Sequence, residues 1–188
     1  MWHRGYASLL FITALFTGFA LAGSNAEREP APRFSAKSLD GEKFDNQSVK
    51  GKVVLLQFWT TWCPYCRSEE GLVNELTREF ADKGLIVLAV DVGESKKKVK
   101  KYLEEHPRTP RIVLTDDTNL AAMYAASSYP IYVVIDRAGN VVGIQRGAGG
   151  EGPLRNLLRG AGISDDDDDD DDDKPAPNQG TSGRATLR

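Results

Sequence analysis

Cys63 and Cys66 are the only cysteines among 188 residues. They stand three positions apart in the run Trp59-Thr60-Thr61-Trp62-Cys63-Pro64-Tyr65-Cys66. A pair so spaced can bind zinc, close a structural disulfide, or cycle between dithiol and disulfide. Zinc needs about four ligands, and the only other Cys or His residues are His3 and His106, so no metal is expected. A structural disulfide across so short a loop constrains the unfolded chain little, because that benefit grows with loop length. Redox exchange needs one sulfur that ionises readily. Cys63 follows an apolar run and precedes Pro64, a residue suited to the first turn of a helix. At a helix start, unpaired N–H groups and the positive end of the helix dipole favour thiolate over thiol. Cys63 would attack a partner disulfide, and Cys66, one turn further on, would release the mixed disulfide. The redox-active Cys63–Cys66 pair is then the whole reactive group, with no cofactor.

Several elements must hold this pair. Lys52–Trp59 is a compact apolar run, as for a strand buried on both faces. Pro64–Lys83 carries Tyr65, Leu72, Leu76 and Phe80 at helical spacing, with Gly84 just past its end. A β-hairpin is expected over Phe34–Phe44 around Leu39-Asp40-Gly41-Glu42. Leu85–Val92 reads as a second buried strand, and Ser95–Glu105 as a helix capped by Ser95. Ile112–Leu114 predicts a short strand, Thr118–Tyr124 a short helix, and Ile131–Asp136 with Val141–Gln145 a second hairpin. Glu151–Arg159 closes the domain as a helix. The alternation predicts an α/β domain with a mixed central sheet flanked by helices.

The ends differ from this body. Residues 1–22 read as a signal peptide, with Arg4 before the apolar Ala7–Ala22 and a small-residue cleavage pattern at Ala20-Leu21-Ala22. An uncleaved anchor is the alternative. Residues 23–32 read as a linker, 33–163 as the folded domain, and 164–188 as a disordered acidic tail that includes nine consecutive aspartates, Asp165–Asp173. Ser24–Ser164 has 20 Lys and Arg against 18 Asp and Glu. A nearly neutral domain gives no footprint for nucleic acid. The basic run Lys96–Lys101 fits the solvated face of a helix, and His106 fits a helix end.

The segment Trp59–Glu69 resembles the active site of the TlpA/ResA-type thiol–disulfide oxidoreductases of the bacterial cell envelope. Val90-Asp91-Val92-Gly93-Glu94-Ser95 resembles the stretch after that family's next strand. Tyr129-Pro130 with Ile131–Asp136 and Gly139–Val142 resembles its cis-proline strand and hairpin. The resemblance implies a thioredoxin-like fold with an N-terminal β-hairpin and a βα insertion. It implies exchange of disulfides in exported proteins, in many members for cytochrome c maturation. Cys63 is then the nucleophile, Cys66 the resolving thiol, Pro130 the cis-proline facing them, and Glu69 a carboxylate that tunes thiol protonation. Trp62 and Tyr129 would line the substrate groove. Partners would be exported protein thiols and disulfides plus an upstream envelope electron donor or acceptor. The protein is expected in the periplasm or secreted, as a monomer, touching membrane only if residues 1–22 are uncleaved. Three departures stand out: Tyr129 replaces the family's common threonine; Gly71 replaces a helix-kinking proline, predicting a less sharply bent helix; and Gln57 replaces the buried acid of thioredoxin itself, leaving Glu69 as the candidate acceptor for the Cys66 proton. Pro64-Tyr65, the pair found in glutaredoxins, implies a couple more oxidising than thioredoxin's.

Two other functions compete. A peroxiredoxin-like thiol peroxidase would use Thr60 three residues before Cys63, although Leu56 stands where that motif has proline. A non-catalytic binding or chaperone module would work through the acidic tail, for which a solubilising role is the simpler reading.

Overall fold

A computed structural model describes residues 28–164. The expected signal peptide, the first part of the linker and the acidic stretch 165–188 lie outside the described residues. The described chain contains β1 (Ser35–Ser38), β2 (Lys43–Asp45), β3 (Val53–Trp59), α1 (Pro64–Ser68), α2 (Glu70–Glu79), β4 (Leu85–Asp91), α3 (Lys96–Glu105), β5 (Arg111–Thr118), α4 (Leu120–Met123), β6 (Ile131–Ile135), β7 (Val141–Arg146) and α5 (Glu151–Gly160).

The strands form one mixed sheet in the order β2-β1-β5-β4-β3-β6-β7. β3 is central, parallel to β4 and antiparallel to β6, and every one of its residues is buried. Its alternating side chains build the two faces of the core. Val54, Leu56 and Phe58 pack with Phe34, Phe44, Leu120 and Tyr124 on the face covered by the hairpin and α4. Val53 and Leu55 pack with Val73 and Leu76 of α2 and with Leu154 and Leu158 of α5. Trp59, further along that second face, joins Val99 of α3 and both cysteines. Each fully buried aliphatic or aromatic side chain contributes roughly 1.5–3 kcal/mol of transfer free energy, so this apolar run sits where two core layers can use it.

The fold is thioredoxin-like, as the resemblance implied, and three elements differ from expectation. The helix expected over Pro64–Lys83 is interrupted at Glu69, whose backbone leaves helical geometry (φ −105°, ψ 4°) between α1 and α2. The interruption falls two residues before Gly71, the position from which a less sharp bend was expected. The break lies at Glu69, where the side chain turns inward to pair with two groups described below. β5 is longer than Ile112–Leu114, because its polar end is recruited by β1 through the pair Ala36–Thr118. Finally, Glu29–Ala31, read as linker, lies along the β6–β7 turn: Val141 N–H donates to Glu29 O and Ala31 N–H to Gly139 O, each at 2.8 Å.

Candidate active site

β3 ends at Trp59, and its polypeptide must turn sharply to enter α1. Cys63 caps that helix in an extended conformation, and its Sγ accepts the Cys66 N–H at 3.1 Å. Pro64 fills the first helical position, where its missing N–H costs nothing. The first turn of α1 thus directs a backbone donor at Cys63 Sγ, a contact that favours a thiolate at that sulfur. Cys63 and Cys66 form a disulfide with Cα atoms 5.3 Å apart. Cys66 is wholly buried and Cys63 nearly so. Around them Trp62 and Tyr65 are exposed, at 59% and 66%.

The Tyr129–Pro130 peptide is cis. Tyr129 packs against the cluster that contains both cysteines. Its ring meets that of Trp62 edge-on, with centroids 6.1 Å apart. The predicted residues Trp62, Cys63, Cys66 and Tyr129 are thus gathered at one end of the sheet, with Pro130 next to Tyr129 at the entry to β6.

Glu69 is 5% exposed, far from the solvated helix residue its sequence position would suggest alone. Its Oε2 accepts from the Tyr132 hydroxyl at 2.6 Å and its Oε1 from Gly150 N–H at 2.7 Å. Tyr132 in turn accepts from Gln57 Nε2 at 3.2 Å, and Gln57 Oε1 accepts from Arg108 Nη2 at 2.6 Å. Donors run in one direction along this chain, from the Arg108 cation to the Glu69 carboxylate. Burial, then the Glu69 charge, push the Tyr132 phenol upward, so it acts as a donor and does not ionise. Arg108 lies over the Trp59 ring, 4.7 Å from its centroid, and near Glu70 (Nη1–Oε1 3.5 Å). Burial pushes the guanidinium below its ordinary value, and Glu70 opposes that shift. Sequence reasoning marked Gln57 only as a missing acid; Arg108 and Tyr132 were not foreseen, since nothing near them in sequence signals a polar network.

A second polar group lies beneath the loop that leads to Cys63. Asp91, at the end of β4 opposite Trp59, is fully buried. Its Oδ1 accepts Glu94 N–H at 3.2 Å. Glu94 accepts from the Thr61 N–H at 2.5 Å and the Thr61 hydroxyl at 2.8 Å, and pairs with Lys98 Nζ at 2.5 Å. Burial, reinforced by the neighbouring Glu94, pushes Asp91 up to about 8. Burial works against ionised Glu94 as well, but Asp91, Lys98 and Thr61 outweigh it and hold that carboxyl below its usual range.

A family model described as the AhpC/TSA family matches residues 28–144. The thioredoxin-like protein YneN of Bacillus subtilis (strain 168) is 36% identical over 149 residues, covering 74% of this chain and 86% of its own. The thiol-disulfide oxidoreductase ResA of Bacillus cereus is 31% identical over 141 residues, covering 71% and 82%. The chain is a ResA-type member of the AhpC/TSA family. A solved structure, the thiol:disulfide interchange protein of the thioredoxin family from Chlorobium tepidum TLS, superposes with a TM-score of 0.64 at 27% identity, covering 73% of this chain and 99% of that one. The cysteine pair on a helix start and the ResA-type kinship together identify a thiol–disulfide oxidoreductase. Among the described residues no cluster of His, Cys, Asp or Glu is arranged to hold a metal ion.

Proposed function

We propose that this oxidoreductase exchanges disulfides with exported proteins, with Cys63 as nucleophile, Cys66 as resolving thiol and Glu69 as acceptor of the Cys66 proton. The observation that carries the reading is the bond from Cys66 N–H to Cys63 Sγ at the first turn of α1, which selects Cys63 as the sulfur to hold negative charge. In the reduced protein, the Cys63 thiolate attacks one sulfur of a partner disulfide. That S–S bond breaks, a mixed disulfide forms at Cys63, and the partner's second sulfur leaves as thiolate and takes a proton. Cys66 then gives its proton toward Glu69 and attacks Cys63 Sγ. The partner leaves as a dithiol, and the Cys63–Cys66 disulfide remains. The same steps in reverse oxidise a partner, so the direction follows the potential of the couple against the upstream donor or acceptor.

Trp62 and Tyr129 would form the surface on which a segment of the partner lies, with Pro130, buried next to Tyr129, as the cis-proline of that groove. Support comes from the exposure of Trp62, from its contact with Tyr129, and from the gathering of these residues around the cysteines. The envelope as the place of action, residues 1–22 as the export signal, and cytochrome c maturation as the pathway belong to the same reading. They rest on the ResA-type kinship and on the apolar run Ala7–Ala22. The partners are then exported protein thiols and an envelope electron donor or acceptor. The protein acts as a monomer without a separate cofactor.

Trapping tests the reading. Cys66→Ser should accumulate a mixed disulfide through Cys63 with a reducible protein substrate, and Cys63→Ser should form none. A Cys66→Ser protein that traps nothing, or traps through another route, rejects it. The peroxidase alternative draws on the AhpC/TSA kinship and on Thr60. Faster turnover with hydrogen peroxide than with a protein disulfide would favour it.

A further inference from the structure

Asp91 and Glu94 lie together beneath the loop that leads to Cys63: the Glu94 N–H donates to Asp91 Oδ1, and the Glu94 carboxylate holds Thr61. Asp91 Oδ2 is fully buried and accepts from no N–H or O–H group among the described residues. An ionised carboxylate oxygen left in that condition would be costly, because buried charge needs donors or a counter-ion. Two carboxyl groups can share a hydrogen bond only if one of them carries a proton. Their surroundings decide which. Glu94 receives the Thr61 N–H, the Thr61 hydroxyl and the Lys98 ammonium. Asp91 receives only the Glu94 N–H, on Oδ1. Glu94, with three donors, is therefore the better anion, and Asp91 Oδ2, buried without a donor, is the oxygen better suited to hold a proton that Glu94 could accept.

We propose that protonated Asp91, acting through Glu94 and Thr61, positions the loop that carries Cys63, so that loss of the Asp91 proton loosens the hold on the nucleophile. Glu94 fixes both the backbone and the side chain of Thr61, two residues before Cys63. The next backbone bond in the loop, Cys63 N–H to Thr60 O at 3.3 Å, depends on the same turn. β4 supplies the anchor: Val92 N–H donates to Trp59 O, and Thr115 of β5 donates through Oγ1 to Asp91 O. Ionising Asp91 would place two carboxylates in contact with Lys98 as the only directly paired cation among the described residues. The groups that face this pair are Lys98 from α3 and Tyr129 from the segment before β6, whose phenol feels the Asp91 charge. Lys101, Tyr102 and Glu105 of α3 line the same hollow as Thr61 and Lys98. Asp91 and Glu94 are positioning residues, since neither touches the reacting sulfurs in any described contact.

The inference rests on Cys63 being the nucleophile, and the test separates the two. The reduced full-length protein is alkylated with iodoacetamide across the range from about pH 5 to 10, and modification of Cys63 is followed by peptide mass. The wild type should show two inflections, one for the Cys63 thiol and one where Asp91 ionises. Asp91→Leu, which cannot donate to Glu94, should alkylate about fivefold or more differently from wild type near neutral pH. Asp91→Asn, whose amide donates to Glu94 at every pH, should rescue the neutral rate to within about twofold and lose the second inflection. A second inflection that persists in Asp91→Asn overturns the proposal. So does equal reactivity of Asp91→Leu and wild type at all pH values. A Cys63 that is not alkylated in any variant rejects the nucleophile assignment instead. If neither variant folds, infrared spectroscopy of the wild type decides. A carboxylic-acid C=O band present near neutral pH and lost in alkali supports the proposal, and its absence overturns it.

Discussion

The Tyr132 hydroxyl donates to Glu69 Oε2 at 2.6 Å, tying the second residue of β6 to the junction of α1 and α2. The bond makes a strand residue the support for the carboxylate nearest in sequence to Cys66. Tyr132→Phe removes one donor and one acceptor at once, leaving Glu69 and Gln57 each short of a partner. Unsatisfied buried groups cost about 1–3 kcal/mol, so the variant should be less stable by about that much, read as an earlier urea midpoint. Glu69→Gln should shift the pH profile of disulfide exchange; an unchanged thiolate titration would remove Glu69 from the proton path.

Arg108 is the only cation in direct contact with the Gln57–Tyr132–Glu69 chain among the described residues, and its side chain has no solvent exposure. Arg108→Met keeps much of the volume against Trp59 but leaves Gln57 Oε1 without its donor and Glu70 without its buried counter-ion, the Tyr102 hydroxyl remaining as a donor to Glu70. Removing one partner of a buried pair costs roughly 3–5 kcal/mol. The partial exposure of Glu70 puts the expected loss toward the low end, about 3 kcal/mol. Denaturant unfolding followed by tryptophan fluorescence would measure it, since Trp59 reports the lost stacking.

The buried acid gives stability a pH dependence of definite sign. Asp91 is raised to about 8 in the folded protein, against roughly 4 in an unfolded chain. Between those values the native state holds a proton that the unfolded state has lost. Stability is therefore greatest with respect to this group below about pH 4 and declines until about pH 8, with a slope of up to about 1.4 kcal/mol per pH unit. Glu94 is shifted downward, so its contribution appears above its unfolded value and is lost only in acid. Asp91→Asn should flatten the decline, as urea midpoints over a pH series would show.

Trp62 lies at the surface next to Cys63 in sequence and contributes little to the core. Trp62→Ala should change folding stability by no more than about 0.5 kcal/mol. It should lower kcat/KM for a protein disulfide about tenfold, as expected for loss of an aromatic anchor, while a small-molecule disulfide reacts at nearly the wild-type rate. Equal losses for both substrates would argue against a docking role.

The tail hypothesis has its own discriminating pair. Cys63→Ser should abolish exchange, and removal of residues 165–188 should leave exchange with a small disulfide unchanged. The reverse outcome would make the acidic segment the working part.

The reactive core of the site was legible because its residues lie in one short run. Cys63, Pro64 and Cys66 announce themselves by type and spacing after an apolar strand, and Ser95 and Gly84 mark helix limits by local chemistry. Tyr129-Pro130 was legible only through resemblance, since no local rule makes that peptide cis. The supporting polar groups were not legible. Gln57, Glu69, Arg108, Tyr132 and Gly150 come from five separate segments that only the sheet order brings together. Asp91 stands at a strand end, where an acid is ordinarily solvated; its burial goes with its place between Trp59 of β3 and Leu114 of β5, where the Glu94 backbone turns back to it. The interruption at Glu69 was hidden for a related reason: it depends on partners in β6 and before α5, not on the helix's own residues.

The Pro30–Asn140 bridge and the bond from Lys83 Nζ to Ser164 O at 2.7 Å put both limits of the described chain at the same side of the molecule. Asn140 follows the outgoing end of β6, and Lys83 precedes β4, so that side lies a full strand length from the cysteines, about 20 Å. The described chain thus enters and leaves at the end of the sheet opposite the cysteines. A tether acting at residue 28 or residue 164 would therefore pull on the side of the domain away from the reactive sulfurs.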